Sequence, residues 1–145
     1  MSLEGVSVLV VEDHADHREL ARALLTHLGA RVDVAEDGQQ GLQKIRKDCP
    51  NLVLCDLLMP EMDGYEVARR VRRIAKCAHA RLVAVTALRD EAAYVLSWNA
   101  GFDAHLEKPL TLAKLNGIAE RFPFGRSASR QRRLRKVEPP IRPAG

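Results

Sequence analysis

Residues 52–56 read LVLCD, four apolar residues followed by one aspartate. A short, continuously apolar run is typical of a strand that is buried on both faces, as strands of parallel sheets are. Residues 59–64, MPEMDG, follow it and carry the proline and glycine of a loop with turn chemistry at both ends. The sequence therefore predicts a central buried strand that ends in a carboxylate, Asp56.

The alternation of apolar runs with helical periodicity continues on both sides of this strand. Further strands are predicted at residues 6–11, 31–34, 82–85 and 102–106, and each is followed by apolar residues at helical spacing. Five strand–helix pairs indicate a parallel sheet covered by helices on both faces. A chain of 145 residues is too short for a (β/α)8 barrel. We therefore expect an α/β, doubly wound, five-stranded sheet with the flavodoxin-like (βα)5 order 2-1-3-4-5.

The character of the sequence changes near residue 121. Residues 1–120 carry 15 Lys/Arg against 18 Asp/Glu, whereas residues 121–145 carry eight against one, with several prolines and few apolar side chains. We expect one folded domain at residues 1–121 and a basic, proline-containing tail or linker at residues 122–145. A linker, a segment that contacts polyanions and a short docked helix all remain open for the tail. It lacks interleaved aromatic residues, so sequence-specific nucleic-acid binding is not expected.

The cysteines and the absence of targeting patterns indicate the cellular compartment of the protein. Cys49, Cys55 and Cys77 are an odd number without CxxC spacing, which argues against a disulfide framework and against a zinc site. The sequence has neither the pattern of a signal peptide nor an apolar run long enough to span a bilayer. We therefore expect a cytoplasmic protein with three reduced thiols.

Polar residues end four of the predicted strands: Glu12 and Asp13 follow the first, Asp56 the third, Thr86 ends the fourth, and Lys108 follows the fifth. In an open α/β sheet, ligands bind at the carboxyl ends of the strands, so these side chains should converge. Carboxylates crowded together repel one another, and a hard divalent cation relieves that repulsion. Metal ion, ammonium and hydroxyl are the groups that stabilise a phosphoryl group in transfer. The pattern predicts a Mg²⁺-dependent site at which a carboxylate nucleophile accepts phosphate.

These residues, in this order and spacing, resemble the response-regulator receiver family, including its single-domain chemotaxis regulators and the receivers of hybrid kinases. The resemblance covers residues 6 to about 121. Its motifs are specific in combination although each alone is weak: Glu12-Asp13, Asp37-Gly38, Asp56, Met59-Pro60-Glu61-Met62-Asp63-Gly64, Thr86-Ala87 and Lys108-Pro109.

The resemblance implies a role for each matching residue. Asp56 is the phosphoacceptor and a ligand of Mg²⁺ (or Mn²⁺). The other metal contacts are Asp13, the backbone carbonyl of Leu58, and Glu12 through a water molecule. The phosphoryl group is contacted by Thr86 and Lys108, and the Lys108-Pro109 peptide bond is a candidate for the cis form. The phosphodonor is a sensor histidine kinase or a phosphotransfer protein, and the domain is a signalling phosphoacceptor, not an enzyme.

Two positions, Glu12 and His105, depart from the family's usual residues, and two more, Leu58 and Leu88, bear on the lifetime of the phosphoryl group. Glu12 replaces an aspartate, which we expect to alter metal affinity without abolishing it. His105 occupies the switch position, where Tyr or Phe is usual, so it is either a modified, pH-sensitive switch that works with Thr86 or a tolerated, partly exposed histidine. In this family such positions tune how fast water attacks the acyl phosphate. Leu58 and Leu88 cannot orient water by hydrogen bonding, which predicts slow loss of the phosphoryl group; the alternative is that both only shield the surface.

The predicted fourth helix carries Tyr94 and Trp98, and in this family that helix contributes to the output or dimer surface. An exposed patch there would support a partner site for a downstream protein or a second copy, whereas core packing is the alternative. The chain offers no room for an output domain, so the partner is another protein or a domain outside this sequence. His14 and His17 flank the start of the first helix near the acids, but Mg²⁺ prefers oxygen ligands to imidazole nitrogen. We therefore expect both histidines to be solvated or to face the kinase.

Two other functions compete with the signalling switch. A phosphatase of the haloacid dehalogenase type also uses an aspartate nucleophile, but it needs a second acid two residues later, where this chain has Leu58. A receiver fold that binds proteins without phosphorylation is the remaining alternative, which the replacements at Glu12 and His105 would allow.

Overall fold

The computed structural model describes residues 2–124, where five strands alternate with five α-helices. The strands are β1 (Ser7–Val11), β2 (Arg31–Ala35), β3 (Leu52–Cys55), β4 (Arg81–Thr86) and β5 (Ala104–Glu107). The α-helices are α1 (Ala15–His27), α2 (Gly38–Lys47), α3 (Gly64–Arg72), α4 (Glu91–Ala100) and α5 (Leu112–Arg121), and a short 3-10 helix spans Ala75–Cys77. Of the tail predicted at residues 122–145, only residues 122–124 belong to the described residues, and the rest of that prediction lies outside them.

All strand pairs are parallel and the order is β2-β1-β3-β4-β5, which confirms the predicted fold class. β3 and β4 are buried along their whole length, as expected for the apolar centre of a sheet covered on both sides. The edge strand β2 alternates between exposed and half-buried residues. None of the helices in residues 2–124 combines the length and apolar character required to span a bilayer.

Two apolar cores lie on the two faces of the sheet. Alternate residues of β1 point to opposite sides, so that Val8 and Val10 join the core beneath α1 and α5, whereas Leu9 and Val11 join the core beneath α2 and α3. The apolar side chains on each face of the sheet thus pack against the apolar faces of the helices that cover it.

Side-chain caps fix where the helices begin. The carboxylates of Asp37, Asp63 and Asp90 each accept a hydrogen bond from a backbone N–H in the first turn of α2, α3 and α4. The hydroxyl of Thr111 does the same for α5. These short polar residues satisfy N–H groups that have no partner inside the helix. The Asp37-Gly38 pair, predicted as a turn, is therefore the start of α2.

The expectation of three reduced cysteines is wrong for two of them. Cys49 and Cys77 form a disulfide, with Cα atoms 5.5 Å apart, while Cys55 is free and buried. Cys49 lies just after α2 and Cys77 in the 3-10 helix after α3, and the packing of α2 against α3 brings them together. Sequence spacing could not reveal a pair that only tertiary packing creates.

An ion-paired cluster holds the amino-terminal edge of the sheet. Asp103 accepts hydrogen bonds from Arg72 Nη2 at 2.8 Å and from the Leu82 backbone N–H at 2.9 Å, and Arg81 Nη1 lies 3.7 Å from its other oxygen. The Arg81 guanidinium also lies over the Phe122 ring, 4.7 Å from its centroid. Because this cluster sits at the start of β4 and β5, it stabilises the sheet at the edge opposite the predicted site.

Candidate functional site

The three predicted acids come together at the carboxyl edge of the sheet. Register pairs Val11 of β1 with Cys55 of β3, so the next residues of the two strands, Glu12 and Asp56, lie side by side. Carboxylate oxygens of Glu12, Asp13 and Asp56 all lie within 4.8 Å of one another. Glu12 and Asp56 are buried, whereas Asp13 is exposed at the mouth of the site.

Lys108 binds two of these carboxylates. Its Nζ donates to Glu12 Oε1 at 2.7 Å and to Asp56 Oδ2 at 3.0 Å. Its backbone N–H donates to the Thr86 carbonyl at 2.9 Å, which ties the segment after β5 to the end of β4, and the following peptide bond to Pro109 is cis. The side chains predicted to converge at this edge of the sheet are therefore in contact.

Burial and neighbouring groups shift the pKa values of Glu12 and Lys108. Burial raises the pKa of Glu12, and the nearby charge of Asp56 adds to that effect, while hydrogen bonds from Lys108 and from the His14 backbone oppose it. Burial alone would lower the pKa of Lys108, but its hydrogen bonds to Glu12 and Asp56 outweigh burial and raise the pKa. Three carboxylates beside one ammonium suit a hard divalent cation with oxygen ligands.

The backbone of Asp56 is held closely by the loop that follows it. An ideal Cβ built on Gly64 would lie 2.2 Å from the Asp56 carbonyl oxygen, so only glycine fits at this first residue of α3. The Gly64 N–H also donates to the Leu57 carbonyl at 3.0 Å. The side chain of Asp56 is held as well, because the Leu58 backbone N–H donates to Asp56 Oδ1 at 3.2 Å. The glycine of the MPEMDG segment thus keeps the loop closed against Asp56.

Thr86 is fully buried at the end of β4, and its hydroxyl accepts a hydrogen bond from the Leu88 N–H at 3.2 Å. Leu88 packs partly against the core, whereas Leu58 is 55% exposed beside the site. The two leucines therefore border the site from the β4–α4 and β3–α3 connections.

His105 is only 1% exposed, so the expectation of a partly exposed histidine is wrong. Its Nδ1 lies 3.1 Å from the Ser97 hydroxyl, which itself donates to the Tyr94 carbonyl at 2.8 Å. Burial lowers the pKa of His105, and a hydrogen bond with the Leu88 backbone opposes this effect. The imidazole is small enough to lie beneath α4, where Ser97 and Leu88 provide polar partners that the sequence pattern did not identify.

The outer face of α4 exposes apolar side chains. Trp98 is 36% exposed, and Val95 and Leu96 are 45% and 53% exposed, whereas Tyr94 is half-buried and lies near the His105 ring. Of the two aromatic residues expected at a partner surface, Trp98 is the more exposed. The surface and the buried His105 ring belong to the same helix–strand pair.

One contact at the site was missed by the sequence analysis. His17, in the first turn of α1, has its Nδ1 2.8 Å from Lys108 Nζ. The sequence signal was its position in the first predicted helix, close to Glu12 and Asp13, but sequence alone could not indicate which way the ring points. His17 also borders a cavity of about 300 Å³ that extends from Lys108 and Asp56 to Leu20 and Val85.

Fold and site together define a class of protein: a parallel 2-1-3-4-5 sheet with an acidic cluster and a lysine at its carboxyl edge, which fits a phosphoacceptor site. A family model for the response regulator receiver domain matches residues 8–120, and the chain belongs to that family.

Similar proteins occur both as short chains and as parts of longer ones. The chain is 33% identical over 121 residues to an uncharacterized 14.6 kDa protein of Leptolyngbya boryana, covering 83% of this chain and 92% of that protein. It is 36% identical over 110 residues to response regulator MprA of Mycolicibacterium vanbaalenii, covering 76% of this chain but only 47% of that protein.

A solved receiver-domain structure is similar to this chain in fold and in sequence. The receiver domain of sensor histidine kinase PA1611 from Pseudomonas aeruginosa, with a magnesium ion coordinated in its active-site cleft, is 29% identical with a TM-score of 0.75. The match covers 81% of this chain and 96% of that domain. Receiver domains of response regulators and of sensor kinases are therefore both among the relatives of this chain.

Proposed function

We propose that Asp56 accepts a phosphoryl group from a phosphohistidine on a sensor histidine kinase or a phosphotransfer protein. The observation that carries the proposal is the contact of Lys108 Nζ with both Asp56 and Glu12 inside a cluster of three carboxylates. In the reaction, an Asp56 oxygen forms a bond to phosphorus as the bond from phosphorus to the donor imidazole breaks. The electron pair of the broken bond returns to that imidazole nitrogen.

The carboxylates fit Mg²⁺ or Mn²⁺, which when bound supplies positive charge for the phosphoryl oxygens. Asp13, Asp56 and the Leu58 carbonyl are the proposed direct ligands, and Glu12 acts through water. Lys108 contributes an ammonium that can turn from Asp56 to a phosphoryl oxygen, and the Thr86 hydroxyl contacts a second oxygen. Leu58 and Leu88 offer no side-chain hydrogen bond to an attacking water, so we expect the aspartyl phosphate to decay slowly.

The phosphoryl signal passes to the surface around α4 and β5. When the Thr86 hydroxyl turns toward the phosphoryl group it gives up its bond from the Leu88 N–H, and Leu88 is also bonded to the His105 ring. His105 in turn contacts Ser97 on α4. This chain of hydrogen bonds is the proposed switch, and the exposed face with Trp98 is the proposed docking surface for a partner protein or a second copy.

Several wider properties belong to the same proposal. Residues 1–121 form the receiver, residues 122–145 serve as a basic tail or linker that can contact polyanions, and the protein acts in the cytoplasm. It assists its own phosphorylation and dephosphorylation without being an enzyme. Because its relatives include parts of longer regulators and kinases, the output belongs to a separate partner or to a domain outside this chain.

Uptake of phosphate tests this function. The chain is incubated with acetyl phosphate and followed by intact mass, with Mg²⁺ or with a chelator. We expect a gain of one phosphoryl group that requires the cation and then decays slowly. A folded chain that takes up no phosphoryl group with Mg²⁺ at saturation would instead favour a receiver fold that binds proteins without phosphorylation.

Stability should depend on His105 as the solution becomes acidic. Burial lowers the pKa of His105 below its ordinary value, so below about pH 6.5 the unfolded chain binds a proton that the folded chain does not. Its contribution to the free energy of unfolding is fully present above that pH and is lost as pH falls toward the lowered pKa. Glu107 and Asp90 lie near enough to weaken the effect.

Urea unfolding from about pH 7 to about pH 5 measures this dependence. The raised pKa of Glu12 acts in the opposite direction in both chains, so we expect the wild-type free energy of unfolding to fall relative to that of His105→Phe as the pH decreases over this range. The exposed His27 is the matched control, and His27→Gln should keep the wild-type slope. Equal slopes for wild type and His105→Phe would contradict the assignment.

A further inference from the structure

The Lys108 ammonium has three N–H donors and finds three acceptors. Nζ lies 2.7 Å from Glu12 Oε1, 2.8 Å from His17 Nδ1 and 3.0 Å from Asp56 Oδ2. Every donor of the ammonium can therefore be directed at a protein atom. Two of the acceptors belong to the acidic cluster, while the third, the imidazole of His17, lies outside it.

The direction of the His17 hydrogen bond follows from the ammonium. Because a lysine ammonium has no acceptor lone pair, His17 Nδ1 must accept, and the ring proton resides on Nε2. The same Nδ1 lies 3.9 Å from Glu12 Oε1, but its lone pair faces Lys108, so the two side chains do not form an ion pair. His17 thus acts on Lys108 as a hydrogen-bond acceptor.

Local structure fixes the His17 ring. It stacks on the His14 ring, with centroids 4.1 Å apart and ring planes inclined by 20°. The backbone N–H of His17 also donates to His14 Nδ1 at 3.5 Å. The His17 side chain is 47% exposed whereas that of Lys108 is 16% exposed. The ring therefore covers the ammonium from solvent and is itself held at the start of α1.

A lysine side chain has four flexible methylene groups, and an ammonium without a fixed third acceptor can turn toward water. Glu12 and His17 together hold the ammonium beside Asp56 Oδ2, where the transferred phosphoryl group arrives under the function proposed above. We propose that His17 is a positioning residue for phosphotransfer, which acts by orienting Lys108 and not by touching the phosphoryl group. This inference rests on the proposed function of Asp56.

Two substitutions test whether the hydrogen-bond acceptor of His17 or its aromatic ring is needed. His17→Leu removes the acceptor while filling similar space, and His17→Gln restores an acceptor oxygen. With saturating acetyl phosphate and Mg²⁺, we expect the rate constant for phosphorylation to fall about fivefold in His17→Leu and to stay within about twofold of wild type in His17→Gln. His27→Gln is the matched control, because His27 is an exposed histidine in the last turn of α1, at the other end of the helix from His17. It should leave the rate unchanged.

A second readout follows Lys108 directly. NMR of the lysine ammonium groups should detect a protected Lys108 signal in wild type and in His17→Gln, and a weakened signal in His17→Leu. A His17→Leu chain with the wild-type rate and signal would overturn the inference. Equal losses of rate in His17→Leu and His17→Gln would also overturn it, since the ring and not its acceptor would then matter.

Failure of the inference is distinguishable from failure of the proposed function. If wild type takes up a phosphoryl group and His17→Leu does so equally fast, only the role of His17 is wrong. If folded wild type takes up none, the proposed function is wrong and the positioning role in phosphotransfer falls with it, even where the Lys108 signal reveals the contact.

Discussion

Replacing Lys108 with alanine is expected to slow phosphorylation of Asp56 about 100-fold, the usual effect of removing one preorganised charged donor from a reacting centre. The Nζ of Lys108 lies 3.0 Å from Asp56 Oδ2, so its charge stands where negative charge moves during the transfer. The rate is measured by intact mass at saturating acetyl phosphate and Mg²⁺. Alanine also leaves Glu12 and Asp56 without their shared ammonium, which makes the buried pair more repulsive.

Two further variants make this result specific. Lys44 forms an exposed ion pair with Asp33 of the outermost strand β2, away from Asp56, so Lys44→Ala should leave the rate unchanged. Lys108→Arg keeps the charge but presents it as a planar fork on a different stem, and we expect it to recover only part of the rate. A Lys108→Ala chain as fast as wild type would contradict the role assigned to the ammonium.

Gly64→Ala is expected to lower the free energy of unfolding by about 3 kcal/mol, since overpacking against backbone atoms cannot relax by a change of rotamer. The added Cβ would meet the Asp56 carbonyl oxygen at 2.2 Å and the Leu57 Cα at 2.9 Å. The strand end that carries Asp56 must move away, so phosphorylation should slow as well. Urea denaturation gives the stability, and the mass assay gives the rate.

Gly117 is the matched control, because it lies inside α5 with open space around its Cβ position. Gly117→Ala should raise the free energy of unfolding by about 0.5 to 1 kcal/mol, since alanine is the better helix former. If Gly64→Ala were as stable and as reactive as wild type, the close packing of the loop against Asp56 would not constrain the site.

The fold could be predicted because local patterns and topology agree. Apolar runs such as residues 52–55 specify strands buried on both faces, and short connections allow few arrangements of five strand–helix pairs. Helix starts were less certain from sequence, since Asp37 reads equally well as a turn residue or as a cap. Leu20 also follows the helical spacing, yet it is 42% exposed because it borders the cavity beside Lys108.

The core of the site could be predicted for the same topological reason. Parallel strands present their carboxyl ends at one edge, so Glu12, Asp13 and Asp56 had to meet. Contacts that depend on side-chain direction could not be predicted. The His17 ring turns inward to Lys108, and His105 lies beneath α4 against Ser97. Neither orientation follows from spacing alone.

The disulfide illustrates a second limit. Cys49 and Cys77 are 28 residues apart and belong to different connections, and only the packing of α2 against α3 makes them neighbours. Composition and compartment rules favoured free thiols because such rules describe averages over proteins.

Locating the phosphoryl group tests the central claim most directly. Borohydride reduces an acyl phosphate to an alcohol and leaves free carboxylates intact, so a phosphorylated aspartate becomes homoserine. After treatment with acetyl phosphate, Mg²⁺ and then borohydride, peptide mass spectrometry should find homoserine at position 56 of the wild-type chain, and Asp56→Asn should take up no phosphoryl group. Phosphate on another residue of the wild-type chain, or undiminished uptake by Asp56→Asn, would contradict the account.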